Sequence, residues 1–352
     1  MFKILIAVAA MLAAQPSEPD AAGATERMNA LLGAGTTQGP EFEEAAAEIL
    51  AAAQAGDPDA MNLQGVLLRY GLVDGQSAAV WFERAMAAGD TRAAGEARLN
   101  LAGERYETGD PEAARAILET ADRLPGGLEA DRLALLGQDF LFGFGGPADP
   151  DFGQSLINDA LIRGYEKPAI LEAAGRYWSE AGDDGALRNS QRALRMLGEA
   201  ARFGSPSAAW RYAMVVLDTG GDPGEAWRYV AWASDQGLPS AMISRAVMLA
   251  IGQGVEPDPA EARAWYARAA GQGSAHAARG LGSMLVMAEG GPAEPAKGYA
   301  LLELAAAGGD SYAAQLLTQT PDGAAPRPGG SAVTDAKTAW LTETGLSELD
   351  LE

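Results

Sequence analysis

The feature that most constrains the fold of this chain is an internal repeat. Three segments, 78–89, 226–237 and 262–273, share the pattern A-x-x-aromatic-x-x-x-A-x-x-x-G. The last position of the pattern recurs along the chain at intervals of 33 to 40 residues. Self-similarity at such a period is typical of solenoid proteins, in which each repeat packs on its neighbours. The eight positions are Gly56, Gly89, Pro125, Gly164, Gly204, Gly237, Gly273 and Gly309.

A second series of small residues lies between these marks, each inside an apolar stretch with helical spacing. Each repeat therefore holds two helices: helix A carries the small residue, and helix B ends at the glycine mark. A glycine inside a helix costs up to about 1 kcal/mol relative to alanine, so we expect close helix approach to compensate for it. The small residues are Gly65, Gly103, Gly137, Gly175, Ala213, Ala246 and Gly282.

The residues at the predicted helix ends agree with this register. Glycine after helix B offers the left-handed conformation that satisfies the last helical carbonyl groups. Proline at Pro40, Pro111, Pro223 and Pro259 stands where helix B begins, and there a missing amide costs nothing. The sequence therefore predicts an all-α protein.

The repeat pattern resembles the Sel1-like repeat, a relative of the tetratricopeptide repeat. Residues 241–277 match it best, with the run Gly252-Gln253-Gly254-Val255 and the pair Trp265-Tyr266 in place. The resemblance covers residues 40–317 and implies a right-handed superhelical α-solenoid of about seven helix pairs that binds protein partners. The chain departs from the family pattern at one apolar position and in two longer loops. The departures are Gln64, Tyr212 and Arg245, and the loops near 145–151 and 182–190.

The segments outside the repeats have compositions of their own. Lys3 and an 11-residue apolar run predict a signal peptide over 1–14, which is too short to span a bilayer, followed by a disordered segment over 15–24. We expect the solenoid over 25–319, with a capping helix at 25–32 and a last helix at 311–318. A Pro/Gly-rich linker follows over 320–332, and a short helix with an acidic tail over 333–352.

Composition excludes several kinds of function. The formal net charge of −22 disfavours binding to nucleic acid. The chain has no cysteine, which excludes thiol chemistry and a lipid anchor, and its single histidine, His276, cannot build a multi-histidine metal site. The acidic cluster at 149–151 lacks the twelfth-position glutamate of a calcium loop, because Ala160 stands there. We expect no metal, no cofactor and no enzymatic activity.

The favoured function is a periplasmic or secreted scaffold that binds a protein partner through its groove, in envelope assembly or signalling. An envelope hydrolase that uses carboxylates, or a homo-oligomeric structural protein, are the alternatives. Polar and aromatic residues of helix A outside the repeat pattern are the candidate groove contacts, and the C-terminal helix adds two more. The groove candidates are Asn62, Arg69, Arg105, Gln138, Arg176, Tyr177, Trp210, Arg211 and Arg245, and the C-terminal candidates are Trp340 and Leu341.

Overall fold

The computed structural model describes residues 21–75, 77–89, 91–121, 123–180, 189–319 and 322–351. These residues form 18 α-helices and one short 3-10 turn, with no strand among them. They divide into an N-terminal unit up to Glu166 and a C-terminal unit from Lys167. The predicted signal peptide, 1–14, lies outside the described residues. None of the described helices combines the length and the apolar character that crossing a membrane requires.

The N-terminal unit contains eight helices, and consecutive helices pack on each other. Their bounds are α1 Ala21–Gly33, α2 Pro40–Ala55, α3 Pro58–Arg69, α4 Ala78–Met86, α5 Arg92–Glu107, α6 Pro111–Glu119, α7 Leu128–Phe142 and α8 Pro150–Ile162.

The C-terminal unit contains ten helices and is also built from consecutive pairs. Their bounds are α9 Pro168–Ser179, α10 Ser190–Arg202, α11 Pro206–Asp218, α12 Pro223–Asp235, α13 Pro239–Ile251, α14 Pro259–Ala270, α15 Ala275–Met287, α16 Pro295–Ala307, α17 Ser311–Thr318 and α18 Gly330–Thr344. The 3-10 turn is Glu348–Asp350.

The predicted helix pairs are confirmed. Seven A/B pairs run from α3–α4 to α15–α16, and α2 is the half repeat that precedes them. Each of the seven glycine marks has a positive φ, between +88° and +102°, which is the left-handed region that glycine adopts without strain. Proline opens α2, α6, α12 and α14 as predicted. The repeat register read from the sequence is therefore the register of the fold.

The one mark without glycine, Pro125, has a different helix end. Helix α6 stops at Glu119, and its last carbonyl groups are reached by guanidinium groups from the helices on either side. Arg98 of α5 donates to the carbonyl of Ile117, and Arg132 of α7 donates to the carbonyl of Leu118, both at 3.0 Å. Two arginines thus satisfy the carbonyls that a glycine turn satisfies elsewhere.

The small residues of helix A do allow close approach, as expected. A Cβ atom added to Gly137 would lie 2.7 Å from the carbonyl oxygen of Gly153 in α8. The contact is reciprocal, since a Cβ on Gly153 would lie 2.6 Å from the carbonyl oxygen of Gly137. Gly282 and Gly298 repeat this arrangement between α15 and α16, at 2.8 and 2.9 Å. The backbones of these two helix pairs touch, which explains why helix-weakening glycine stands there.

Two predicted boundaries need correction. Helix α1 begins at Ala21, so residues 21–24 of the segment predicted to be disordered are helical. Ala24 and Met28 are buried against Phe42 and Ile49 of α2, and this packing fixes the first helix. The predicted capping helix at 25–32 lies within α1.

The C-terminal boundaries also differ from the prediction, because the linker and the last helix pack on the final repeat. The amide of Ala325 donates to the carbonyl of Val286 at 2.9 Å, and its carbonyl accepts the Tyr299 hydroxyl at 3.1 Å. Helix α18 begins at Gly330 rather than 333 and packs on α16. The described part of the linker, 322–329, is therefore not a free spacer.

Candidate binding surfaces

One side of each helix A can be located from its small residue. We count positions from the small residue. The residues at positions −3, +1 and +5 are four residues apart, so they lie on one face of helix A. We call this face the A stripe. In the C-terminal unit it comprises Glu172, Arg176 and Glu180 near α9, Trp210, Met214 and Asp218 on α11, and Ile243, Val247 and Ile251 on α13.

The groove candidates of the N-terminal unit are largely engaged within the chain. Asn62 is buried, and its Oδ1 accepts the Nδ2 amide of Asn100 on the next helix A at 2.9 Å. Arg69 donates to Glu107 at 2.6 Å and to the carbonyl of Asn100 at 3.0 Å. The hydrogen bond from Arg69 lowers the pKa of the Glu107 carboxyl, against the opposing effect of burial. These side chains tie one repeat to the next.

The remaining two N-terminal candidates make weaker contacts. Arg105 is half-buried, and its guanidinium lies 3.7 Å from the Glu83 carboxylate. Gln138 is half-buried on α7, one residue after the small residue Gly137. Both side chains are partly accessible on helix A.

The candidates of the C-terminal unit are more accessible, apart from Arg245. Arg176 is exposed, and Tyr177 packs edge-on against Trp178 with ring centroids 4.9 Å apart. The indole of Trp210 donates to the Ser244 hydroxyl at 2.9 Å, which joins α11 to α13. The guanidinium of Arg211 lies 5.7 Å from the Trp210 ring.

Arg245 is held on every side by its own unit. Its guanidinium lies between the rings of Trp227 and Trp265, 5.3 and 4.1 Å from their centroids. It also donates to Asp235 at 2.8 Å and to Glu261 at 3.2 Å. A partner would have to displace these contacts, so Arg245 serves the packing of α12, α13 and α14.

The two C-terminal candidates differ in how far they are buried. Trp340 is 5% exposed and belongs to the apolar cluster of the last repeats, whereas Leu341 is half-buried beside it. Val333 and Leu351 join the same cluster. Because the Trp340 indole is already covered, it is not available to a partner while α18 is docked.

Three apolar residues of the helix A face are not among the predicted groove contacts: Met214, Val247 and Ile251. Val247 is 39% exposed and Ile251 is 65% exposed on α13, in line with each other on the A stripe. Trp210 and Met214 occupy the corresponding stripe of α11 and are half-buried. We call these four residues the A patch. The sequence does contain a signal for this patch. One residue after the small residue, Met214 and Val247 are apolar, whereas other repeats have Gln138 or Arg176 there.

The C-terminal unit also contains a groove on its B helices. It is an open depression of about 690 Å³ between α10 and α12, over the ring of Tyr212 from α11. We call it the B groove. Its lining residues are Leu194, Arg195, Gly198, Glu199, Ala201, Arg202, Tyr212, Glu225, Arg228, Tyr229 and Trp232. Sequence reasoning noted Tyr212 only as a departure from the repeat pattern.

Among the described carboxyl groups a raised pKa is found at Asp59, through burial and the neighbouring charges of Asp57 and Glu96. Asp59 is exposed at the start of α3 and does not line the B groove. His276 is exposed in the first turn of α15. The described residues include no group of three side chains suited to hold a metal ion.

Helix pairs in register, reciprocal glycine contacts and surface grooves define the class of an α-helical repeat protein. Sequence comparison identifies the repeat itself. The Sel1 repeat model matches residues 58–90, 168–204, 239–274 and 275–310. The chain therefore contains four Sel1 repeats, a repeat type that typically mediates protein–protein interaction.

Solved structures share this fold. One is c5321, a protective antigen present in uropathogenic Escherichia coli strains that displays an SLR fold. It is 16% identical, with a TM-score of 0.65 over 94% of this chain and 71% of its own. Another is a Sel1 repeat protein from Oxalobacter formigenes, 23% identical, with a TM-score of 0.58 over 86% of this chain and 88% of its own. No curated protein matches the chain.

Proposed function

We propose that this protein is an exported scaffold that binds a protein partner through its helix A face, in assembly of the cell envelope or in envelope signalling. The observation that carries the proposal is the A patch. Val247 and Ile251 expose apolar side chains on α13, and Trp210 lies on the same stripe of the preceding helix A. Contiguous exposed apolar surface commonly marks a protein interface, and tryptophan is enriched among the residues that dominate binding energy.

Polar residues around the A patch fit the same role. Arg176 is exposed on the neighbouring A stripe of α9, and Asp218 is exposed at the end of the stripe on α11. An apolar centre with a charged rim is the usual composition of a protein interface. Of the predicted groove residues, we therefore place Arg176 and Trp210 at the interface and assign Asn62 and Arg69 to contacts between repeats.

Site-specific photo-cross-linking in the native cell tests the interface. A photoreactive amino acid at Val247 should give a discrete cross-linked product, and Ile251→Asp should reduce its yield strongly. The matched control is Ile162→Asp, because Ile162 is 80% exposed at the end of α8 in the N-terminal unit. A photoreactive residue at 162 that captured the same partner as well as one at 247 would show that the A patch is not the interface. A product made of two copies of this chain would indicate a homo-oligomer instead.

Export has a separate test. Lys3 and the apolar run that follows predict cleavage after Ala14, so the mature protein should begin at or near Gln15. N-terminal sequencing of the protein recovered from the periplasm measures this directly. An intact Met1 on the mature protein would contradict export.

A further inference from the structure

The B groove carries two arginines at equivalent places in consecutive repeats. Arg195 of α10 and Arg228 of α12 both occupy the third position of the helix B pattern, 33 residues apart. The repeat therefore brings both guanidinium groups to the same groove, where both are exposed. Within the described part of the chain, neither side chain makes a hydrogen bond or ion pair. In a chain with a net charge of −22, such a pair of unengaged cations stands out.

Each of the two carboxylates of the groove has a hydrogen-bond donor other than Arg195 or Arg228. Arg202 donates to Glu199 at 2.8 Å, and the Tyr212 hydroxyl donates to Glu225 at 2.8 Å. Burial, together with the hydrogen bond to Glu225, raises the pKa of Tyr212 well above its usual range, so its hydroxyl stays neutral. With three arginines and two glutamates among its lining residues, the groove has an excess of one positive charge.

The groove also offers an aromatic floor. The rings of Tyr212 and Tyr229 lie with centroids 4.3 Å apart, and Trp232 is 38% exposed beside them. A Cβ atom at position 198 would lie against the Tyr212 ring, at 3.4 Å. Because Gly198 has no side chain, this part of the ring stays uncovered. Aromatic side chains next to arginine are the residues most often found at the energetic centre of protein interfaces.

We propose that the B groove binds an acidic peptide segment of a protein partner, with carboxylates on Arg195 and Arg228 and an adjacent apolar side chain on Tyr229 and Trp232. Guanidinium groups bind carboxylates through paired, charge-assisted hydrogen bonds. A nucleic acid would bring the same anionic chemistry, but the overall charge of the chain repels a polyanion. This site is separate from the A patch: Tyr212 lies two residues from both Trp210 and Met214 and so faces away from them on α11.

The test uses a random 12-residue peptide library displayed on phage and selected on the full-length protein. Selected peptides should carry Asp or Glu beside an aromatic or aliphatic residue, and their affinity, measured by fluorescence anisotropy, should fall between about 50 mM and about 500 mM salt. Removing a hydrogen bond to a charged group weakens binding roughly tenfold, so Arg195→Glu with Arg228→Glu should weaken it roughly a hundredfold or more. Neither arginine has a partner among the described residues, so the variant should fold normally.

The matched control is Arg268→Glu with Arg327→Glu, which makes the same change of charge at two exposed arginines of the same unit, outside the A patch and the B groove. It should change peptide affinity by less than about threefold, since long-range effects of exposed charges are screened by salt. Selected peptides without acidic residues, or binding that survives Arg195→Glu with Arg228→Glu, would overturn the proposal. So would equal affinity for a small aromatic carboxylate such as phenylacetate, which would make the groove a small-molecule site. Cross-linking at position 247 tests the A patch separately from peptide binding to the B groove. If the peptide experiment fails, the proposal for the A patch is not affected.

Discussion

The two units of the chain use arginine in different ways. In the N-terminal unit, Arg115 and Arg132 are buried and paired with buried carboxylates, Asp139 and Glu129. In the C-terminal unit, Arg245 stacks on indole rings near the surface, where its side chain is 15% exposed. Arg195 and Arg228 there are exposed at a groove. Buried Arg132 thus replaces a helix-end glycine of the repeat, whereas Arg195 and Arg228 at the surface are available to a ligand.

The buried network of the N-terminal unit shows what this replacement requires. Asp139 is fully buried and accepts hydrogen bonds from Arg115 and from the Tyr106 hydroxyl, the latter at 2.7 Å. The guanidinium of Arg115 also lies 4.1 Å from the Phe140 ring. Burial and the hydrogen bond to Asp139 raise the pKa of Tyr106 above its usual range. Each charge is fully partnered, which is the condition under which a buried ion pair is tolerated.

The largest effect is expected when the buried Arg115–Asp139 pair of the N-terminal unit loses one partner. Asp139→Ala leaves Arg115 charged and unpaired in the interior, and breaking a buried pair costs about 3–5 kcal/mol. Urea denaturation should show that loss, and hydrogen–deuterium exchange should place it in α5 to α8. Glu107→Ala is the control, because its pair with Arg69 is 60% exposed on the glutamate side and a surface pair contributes about 1 kcal/mol or less. An equal loss in the two variants would mean that burial of the pair does not matter.

The second test concerns the apolar core cluster of the last repeats in the C-terminal unit. Trp340→Ala removes a side chain that is 5% exposed in the last core cluster, and burial losses of this kind cost about 3–5 kcal/mol. Exchange should rise in α16 and α18, the two helices that pack on each other. Trp232→Ala is the control, since that indole is 38% exposed and its loss should change stability by less than about 1 kcal/mol. If Trp340→Ala did not change the free energy of unfolding, α18 would not be part of the core and would be free to bind a partner.

A smaller effect distinguishes the two kinds of helix glycine in the C-terminal unit. Gly282→Ala places a Cβ 2.8 Å from a backbone carbonyl oxygen, and overpacking of this kind costs about 1–3 kcal/mol. Gly198→Ala meets only the Tyr212 ring at 3.4 Å, and it gains up to about 1 kcal/mol in helix propensity. Thermal unfolding should therefore move in opposite directions for the two variants. If both variants were stabilised, the α15–α16 contact would not depend on glycine.

The repeats were predictable because their signals are local and recur. Gly204 and Gly237 end helices because each adopts a positive φ. Pro223 begins a helix because its own ring fixes a helical φ. The small residues Gly137 and Gly282 repeat in register, so close approach followed from position alone. One sequence with seven helix pairs contains enough copies of these signals to fix fold and register together.

The sites were less predictable because they depend on contacts between distant residues. Arg69 and Arg245 look like accessible side chains in the sequence, but Glu107 and the two indole rings that engage them lie in other helices. The docking of Trp340 on the last repeats follows from an apolar surface that no local pattern reveals. The recurrence of arginine at 195 and 228 was a readable signal for the B groove, since it repeats at the same position of helix B.

The smallest expected effect is a pH dependence shared by both units. Burial alone would raise the pKa of Glu129, but the hydrogen bonds from Arg132 and from the Leu124 amide outweigh it and lower the pKa. The same balance holds at Asp310, where the Ala313 amide and the Arg279 guanidinium lower the pKa against burial. A lowered pKa in the folded state contributes stability that is present above the unfolded pKa, near 4.5 for glutamate and 3.8 for aspartate, and is lost as pH falls through the folded value.

Glu129→Gln and Asp310→Asn should therefore each differ most from the parent protein at neutral pH. The difference in unfolding free energy should shrink as pH falls through the lowered pKa, because the parent carboxylate then becomes protonated and loses its charged partners. Urea denaturation at a series of pH values measures this, with exchange assigning each change to its own unit. A difference that stayed constant with pH would show that the two carboxylates act by shape and hydrogen bonding alone. The arginines beside them, Arg132 and Arg279, would then be held in place by packing rather than by charge.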